Sequence, residues 1–222
     1  MKNIGIVVKS IDYKENSKIV YVYTNEGIKS IRAIGAKNPK KGLLGFIITG
    51  NIVSFIASDT SFPSLLEFNV EESIYDITKS IDKINTLNII IEVINNLSDD
   101  ANHKLAYPFV ENIIKELINT QNTKKLMSVF LIKMLYPLGV APNLKSCILC
   151  NRGDNLLFDI NKGGAVCLSC NPYANKNYNI WKEYYFNKGL ISSFSDCDFD
   201  DLLDEIKKYY YVHTGIMLNL HK

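Results

Sequence analysis

The chain has 222 residues, enough for one or two compact domains, and its 47% hydrophobic and 22% charged content excludes disorder, a collagenous repeat and a small disulfide scaffold. The net charge of +2 names no partner. Its distribution says more: residues 1–41 hold nine basic and three acidic residues, a net +6, which leaves −4 for the remainder. A basic head on a mildly acidic body suggests a polyanion held at one end. No apolar run approaches the ~18 residues of a membrane span, and the start lacks a secretory core and cleavage site. A cytoplasmic chain with reduced thiols is expected.

The first ~70 residues predict strands. Ile4 to Lys9 is a short apolar run, and Lys18 to Thr24 is rich in β-branched and aromatic residues that suit a pleated surface. Asn25-Glu26-Gly27 supplies a turn and Ile28 to Ile34 the partner strand of a hairpin. Phe46 to Thr49 and Ile52 to Ile56 read as further strand material around Gly50-Asn51, and Leu65 to Val70 as the last strand. Five short strands with glycine-bearing turns predict a small closed barrel.

Near Ser73 the period becomes helical. Leu87, Ile90, Ile91, Ile94 and Leu97 recur on one face, as do Phe109, Val110, Ile113, Ile114, Leu117 and Ile118. Leu126 to Leu138 is apolar on nearly every side, which predicts a central buried helix stopped by Pro137 and Gly139. The last helix places Phe199, Leu202, Leu203, Ile206, Tyr210, His213 and Met217 on one face, with Asp198, Asp200 and Asp201 at its start. No flexible linker separates the halves, so the expected division is residues 1–75 and 76–222.

Cys147-Ile148-Leu149-Cys150 and Cys167-Leu168-Ser169-Cys170 are two C-x-x-C pairs sixteen residues apart. Four soft thiolates delivered in pairs from tight turns are what a structural Zn²⁺ requires. Asn155 to Ile160, a turn at Asn161 to Gly164, and Ala165-Val166 predict a ribbon between the pairs, within residues 145–172. The alternatives are a redox dithiol, which calls for one pair in a βαβ setting, two disulfides, which the absent signal peptide opposes, and an empty cluster of buried thiols. Four thiolates leave no open coordination position, so the role is structural. Cys197 lies outside the pattern and reads as a filler or surface thiol.

No Walker loop, dinucleotide-binding turn, H-E-x-x-H or G-x-S-x-G occurs. His103, after Asp99-Asp100, reads as part of a surface loop, His213 as a core histidine, and His221 as part of a frayed end. No catalytic apparatus is visible, and a protein that is not an enzyme is expected. A basic barrel has a natural use in holding nucleic acid, with cations on phosphates and rings on bases. Lys29, Arg32, Lys37, Lys40 and Lys41, around and after the third strand, are the candidate DNA contacts; a merely solvated surface explains the loop equally well. Tyr21, Tyr23, Phe46 and Phe55 are stacking candidates, although rings of a small barrel more often fill its core.

Four stretches break the tie: Glu15-Asn16-Ser17, Gly35-Ala36-Lys37, Leu138-Gly139-Val140-Ala141-Pro142-Asn143-Leu144, and Gly163-Gly164-Ala165-Val166-Cys167. With the closing Tyr209 to Gly215, in this order, the whole chain resembles the bacterial RecO family of recombination mediators. It departs from the family at Asn38, where a second basic residue is usual, and at Asn151, where glycine is frequent. The resemblance implies an oligonucleotide-binding (OB) barrel followed by an all-helical domain with an inserted four-cysteine zinc ribbon. It also implies binding of single- and double-stranded DNA, ATP-independent annealing, and work with RecR and single-strand-binding protein at the nucleoid. The reading of a different class is a zinc-ribbon adaptor binding RNA or the transcription or translation machinery.

Overall fold

Alternating apolar residues decide which face of each early strand is buried. A computed structural model of the chain describes residues 2–175 and 177–219; His221 lies outside them. β1 (Asn3–Tyr13), β2 (Ser17–Thr24), β3 (Gly27–Ala33), β4 (Ile52–Ala57) and β5 (Leu65–Glu72) form an antiparallel sheet in the order β3-β2-β1-β4-β5. The Arg32 amide donates to the Pro63 carbonyl (2.8 Å), and Arg32 and Ser64 form a parallel bridge. That return to β3 closes the five strands into a barrel of OB-fold topology. Val7, Val20, Val22, Ile31, Ala33, Val53 and Phe55 fill it.

The pairing of β1 with β2 slips between Val7 and Lys9. Val7 faces the core, so strict alternation would drive Lys9 inward as well; the bulge turns Lys9 out to solvent. Asn25 and Glu26 join β2 to β3, and Gly27 takes the positive φ (98°) expected of it. Phe46 to Thr49 does not form the expected strand. Leu44–Ile47 is a one-turn helix, α1, whose fully buried Phe46 plugs the barrel 5.8 Å from Phe55 and 5.4 Å from Phe68. A short apolar run cannot be told from a buried helical turn by periodicity. Gly45 tips the balance, because a Cβ there would meet Val70 Cγ2 at 2.5 Å; only without one can the turn press against β5.

The chain divides into two compact units, residues 1–119 and 120–222. The first adds α2 (Ile81–Asn95) and α3 (His103–Asn119) to the barrel. His103 is not in a surface loop: it opens α3 with 8% of its surface exposed, and its ring and that of Tyr107 pack on Tyr23 at 5.7 and 5.8 Å. The second unit contains α4 (Thr123–Met134), the hairpin β6 (Leu156–Asp159) and β7 (Gly164–Cys167), α5 (Tyr178–Phe186) and α6 (Phe199–Thr214). α4 is buried nearly all round, as its composition predicts. Asp198 caps α6 by accepting from the amides of Asp200 and Asp201, and Gly215 ends it at φ 75°. Met217 therefore falls beyond the helix and is 70% exposed, while Leu218 is buried in its stead. α5 gave no sequence signal, because aromatic and Asn residues are weak helix formers; buried Tyr178, Trp181 and Tyr184 hold it in place. No helix among the described residues is long and apolar enough to cross a membrane.

Candidate nucleic-acid interface and metal centre

Residues paired across strands share a face of the barrel. Lys9 pairs with Tyr21 and Ile11 with Ile19, while Tyr21 pairs with Ser30 and Ile19 with Arg32. Lys9, Tyr21 and Arg32 thus lie together on the outer surface of β1–β3. At one end of this surface two cations bracket a pair of rings. Lys14 Nζ lies 5.4 Å from the Tyr13 ring centroid, Tyr13 meets Phe62 edge-on at 5.9 Å, and the Arg32 guanidinium covers Phe62 at 4.8 Å. Ser64 Oγ fixes the guanidinium by accepting from Nε (3.1 Å) and Nη2 (2.8 Å). This ladder joins the β1–β2 turn to the β4–β5 loop, the two loops with which OB folds grip oligonucleotides.

The loop after β3 is tied to the same end. The Lys37 amide donates to the Asn16 carbonyl (3.2 Å), and Lys37 Nζ donates to the Lys14 carbonyl (3.3 Å). Asp12 holds Lys18 Nζ at 2.7 Å and Lys37 Nζ at 3.0 Å, and Lys18 first, then Lys37, keep its carboxyl below the usual carboxylate range. Lys40 and Lys41 are exposed and form no ion pair among the described residues. Lys37, Lys40 and Lys41 therefore share one loop, with Arg32 on the adjoining barrel surface. Lys29 stands apart. Its strand parity puts it on the inner side of β3, where it donates to Glu26 (2.6 Å) and Asn3 (3.2 Å). Of the four stacking candidates, Tyr23, Phe46 and Phe55 are buried and fill space; Tyr21 alone is half-exposed. Tyr13 and Phe62 were missed, since each is an isolated aromatic and they meet only through barrel closure.

The four cysteines expected to bind metal come together with all sulfurs within 4.8 Å of one another. Cys150 and Cys167 Sγ are 3.6 Å apart. A tetrahedral Zn²⁺ with bonds of about 2.3 Å places its sulfurs about 3.8 Å apart, so the donor set fits that ion. The electrostatics agree. Burial opposes ionisation of Cys147, but N–H groups of Cys167, Leu149 and Cys150 aimed at its sulfur prevail and hold its pKa at about 6. Cys170 is pushed up to about 12, chiefly by Cys150 and then Cys167. One thiolate forms readily and suppresses the next unless a cation joins them. Cys197 lies outside the cluster, half-buried.

The ribbon is fastened to the helices by a stack of rings. Phe158 of β6 lies 4.2 Å from Trp181 and 5.9 Å from Tyr209, and His213 lies 4.2 Å from Tyr209. His213 is half-buried rather than in the core, its Nε2 lies 2.7 Å from the Ile160 carbonyl, and Tyr209 donates to the Val140 carbonyl at 2.9 Å. Beneath them Glu205, 3% exposed, accepts from Asn175, from Asn177 (2.6 Å) and from Trp181 Nε1 (2.9 Å). Burial raises its pKa against the opposing pull of those donors; the three hydrogen bonds are what make a carboxylate tolerable there.

Comparison with known proteins follows this division of parts. Residues 1–73 match the family model described as Recombination protein O N terminal, and residues 79–185 match that described as Recombination protein O C terminal. The DNA repair protein RecO of Halalkalibacterium halodurans is 26% identical over 183 residues, covering 78% of this chain and 70% of that protein. The DNA repair protein RecO of Bacillus cytotoxicus is 25% identical over 238 aligned positions, covering 96% and 92%. With a closed basic barrel under the first match and the four-cysteine ribbon inside the second, the chain belongs to the RecO family.

Proposed function

We propose that the chain is a DNA repair protein acting as a recombination mediator. It binds single- and double-stranded DNA and anneals complementary strands without ATP, in concert with RecR and single-strand-binding protein in the cytoplasm at the nucleoid. The observation that carries this reading is the Lys14–Tyr13–Phe62–Arg32 ladder beside the lysine loop. Cations meet phosphates while the half-exposed rings of Tyr13 and Phe62 offer stacking surface to bases regardless of sequence.

In this reading residues 1–75 are the DNA-binding module, with Arg32, Lys37, Lys40 and Lys41 along the strand's path and Lys29 nearer the barrel interior. Residues 76–222 are the helical domain, with the zinc ribbon at 145–172 held by Cys147, Cys150, Cys167 and Cys170. A bound Zn²⁺ supplies cross-linking of the two cysteine turns. The chain's own residues do the rest: neutralising two phosphate backbones at one surface lowers their mutual repulsion and lets complementary strands pair. No bond is made or broken, so the mediator is not an enzyme. The test is annealing of complementary oligonucleotides coated with single-strand-binding protein, measured without ATP. Duplex formation accelerated by stoichiometric protein is expected; rates unchanged from the protein-free control overturn the proposal.

A further inference from the structure

The β4–β5 loop is knit by its own hydroxyls. The Ser58 amide donates to the Ser64 carbonyl (2.9 Å), and the Ser64 amide donates to Ser58 Oγ (2.9 Å). Thr60 gives its hydroxyl proton to the Phe62 carbonyl (3.1 Å). Ser58 is therefore the donor in the 3.3 Å contact between Ser58 Oγ and Thr60 Oγ1, and both hydroxyl protons are answered within the loop. Pro63 confines Phe62 to extended backbone, and the Pro63 carbonyl accepts from the Arg32 amide (2.8 Å). The Phe62 ring and the Ser64 hydroxyl are thus held against Arg32 before any ligand arrives. We propose that Ser64 is a positioning residue for Arg32, turning the guanidinium so that its free edge seats one phosphate of a bound DNA strand. This inference rests on the DNA-binding reading above.

A guanidinium carries five N–H donors in a rigid plane. Ser64 Oγ takes the Nε and Nη2 donors of one edge (3.1 and 2.8 Å), and the Phe62 ring lies against the plane at 4.8 Å. The end of the fork remains, with one donor on Nη2 and two on Nη1. That end presents the two parallel N–H groups that a phosphate accepts.

The partner of Arg32 orients its charge without cancelling it. Lys18 and Lys37 share Asp12, Lys29 is met by Glu26, and Lys2 lies 3.8 Å from Glu71. Arg32 forms no ion pair among the described residues. A carboxylate in place of the Ser64 hydroxyl would hold the same edge and neutralise the cation; the hydroxyl holds the edge and leaves the full charge to an incoming anion. The half-exposed Tyr13 and Phe62 rings, 5.9 Å apart, put a stacking surface beside the seat. That pairing suits a phosphodiester with its bases attached better than the lone carboxylate of an acidic peptide.

The test uses the full chain and single-stranded oligonucleotides in which one phosphate at a time is replaced by an uncharged methylphosphonate. Wild-type protein is expected to lose about tenfold in affinity at one position of the bound strand, and Arg32→Ala to be insensitive to the replacement there. Arg32→Lys keeps the charge but not the planar fork, and it should weaken binding nearly as much as Arg32→Ala. Ser64→Ala should weaken binding about fivefold, and Ser64→Thr, which keeps the hydroxyl, should restore it to within about twofold. In the Arg32→Ala background Ser64→Ala should cost nothing further, a result that a purely structural role for Ser64 would not give. An equal loss at every methylphosphonate position, or a Ser64→Ala effect that persists without Arg32, overturns the phosphate seat while leaving the DNA-binding reading in place. So does unchanged oligonucleotide affinity in Arg32→Ala, which would leave the fork to an acidic peptide. Failure of the wild-type chain to bind any oligonucleotide overturns the DNA-binding reading itself.

Discussion

The lysine loop and the cysteine ribbon both gather groups of one sign, and they solve that problem in opposite ways. In the ribbon, backbone N–H groups lower the pKa of Cys147 to about 6 while its neighbours push Cys170 to about 12. The four sulfurs sit within 4.8 Å of one another, a spacing that one small cation satisfies completely. On the barrel, Lys40 and Lys41 stand in water, Lys18 and Lys37 share Asp12, and ionic screening weakens whatever they hold. Inward charge clusters bind all or nothing; exposed ones bind by degrees. On the proposed reading the ribbon is a structural clasp and the loop an adjustable grip.

The largest expected effect tests the clasp. Cys147→Ser removes one of four ligands and should abolish bound zinc. In zinc-finger peptides the metal contributes on the order of 10–16 kcal/mol to folding, so the thermal transition of the second unit should fall sharply or disappear. Because the barrel closes through its own Arg32–Pro63 and Arg32–Ser64 contacts, the salt slope of DNA binding should survive. Metal analysis and melting of the reduced protein check the first half, and oligonucleotide titrations check the second. Full zinc occupancy in the variant would remove Cys147 from the site.

A smaller effect is expected from the grip. If about five phosphates are met, log K for single strands falls with log[salt] at a slope of about −3.5, near −0.7 per contact. Reversing Lys37, Lys40 and Lys41 to Glu should flatten that slope to about −1.4 and weaken binding on the order of a hundredfold at low salt. Zinc content and melting should not move. An unchanged slope would show that the phosphates lie elsewhere.

These two sites differed in how far the sequence revealed them, and the reason is range. The cysteine pairs are local turns, and the ribbon between them forms at Leu156–Asp159 and Gly164–Cys167 much as spacing demands. The four stretches that carried the family resemblance meet in pairs. The Gly35 and Lys37 amides reach Ser17 Oγ (3.4 Å) and the Asn16 carbonyl (3.2 Å), and Asn143 exchanges bonds with Gly163 (3.1 Å) and Ala165 (2.7 Å). The ladder left no such trace, because barrel closure brings Phe62 to Tyr13 and Arg32 and no periodicity encodes that. Counting charge placed Lys29 with Arg32, yet three positions along a strand reverse the face. His103 misled because its polar flank hid a contact with Tyr23 made only once α3 packs on the barrel.

The smallest predicted effect bears on why an acid sits inside a basic patch at all. Asp12 holds Lys18 and Lys37, and their charges keep it ionised below the usual carboxylate range, so at neutral pH it competes with phosphate for both. Asp12→Asn keeps the size of the side chain and removes the competitor. Single-strand binding at low salt should tighten about threefold, since exposed ion pairs are individually weak, and the gain should vanish as salt rises. Weaker binding would mean instead that Asp12 orients the two lysines toward the strand, and the grip would then be preorganised rather than adjustable. Titrations of both proteins across a salt series separate the outcomes, because a lost competitor steepens the slope whereas lost orientation flattens it.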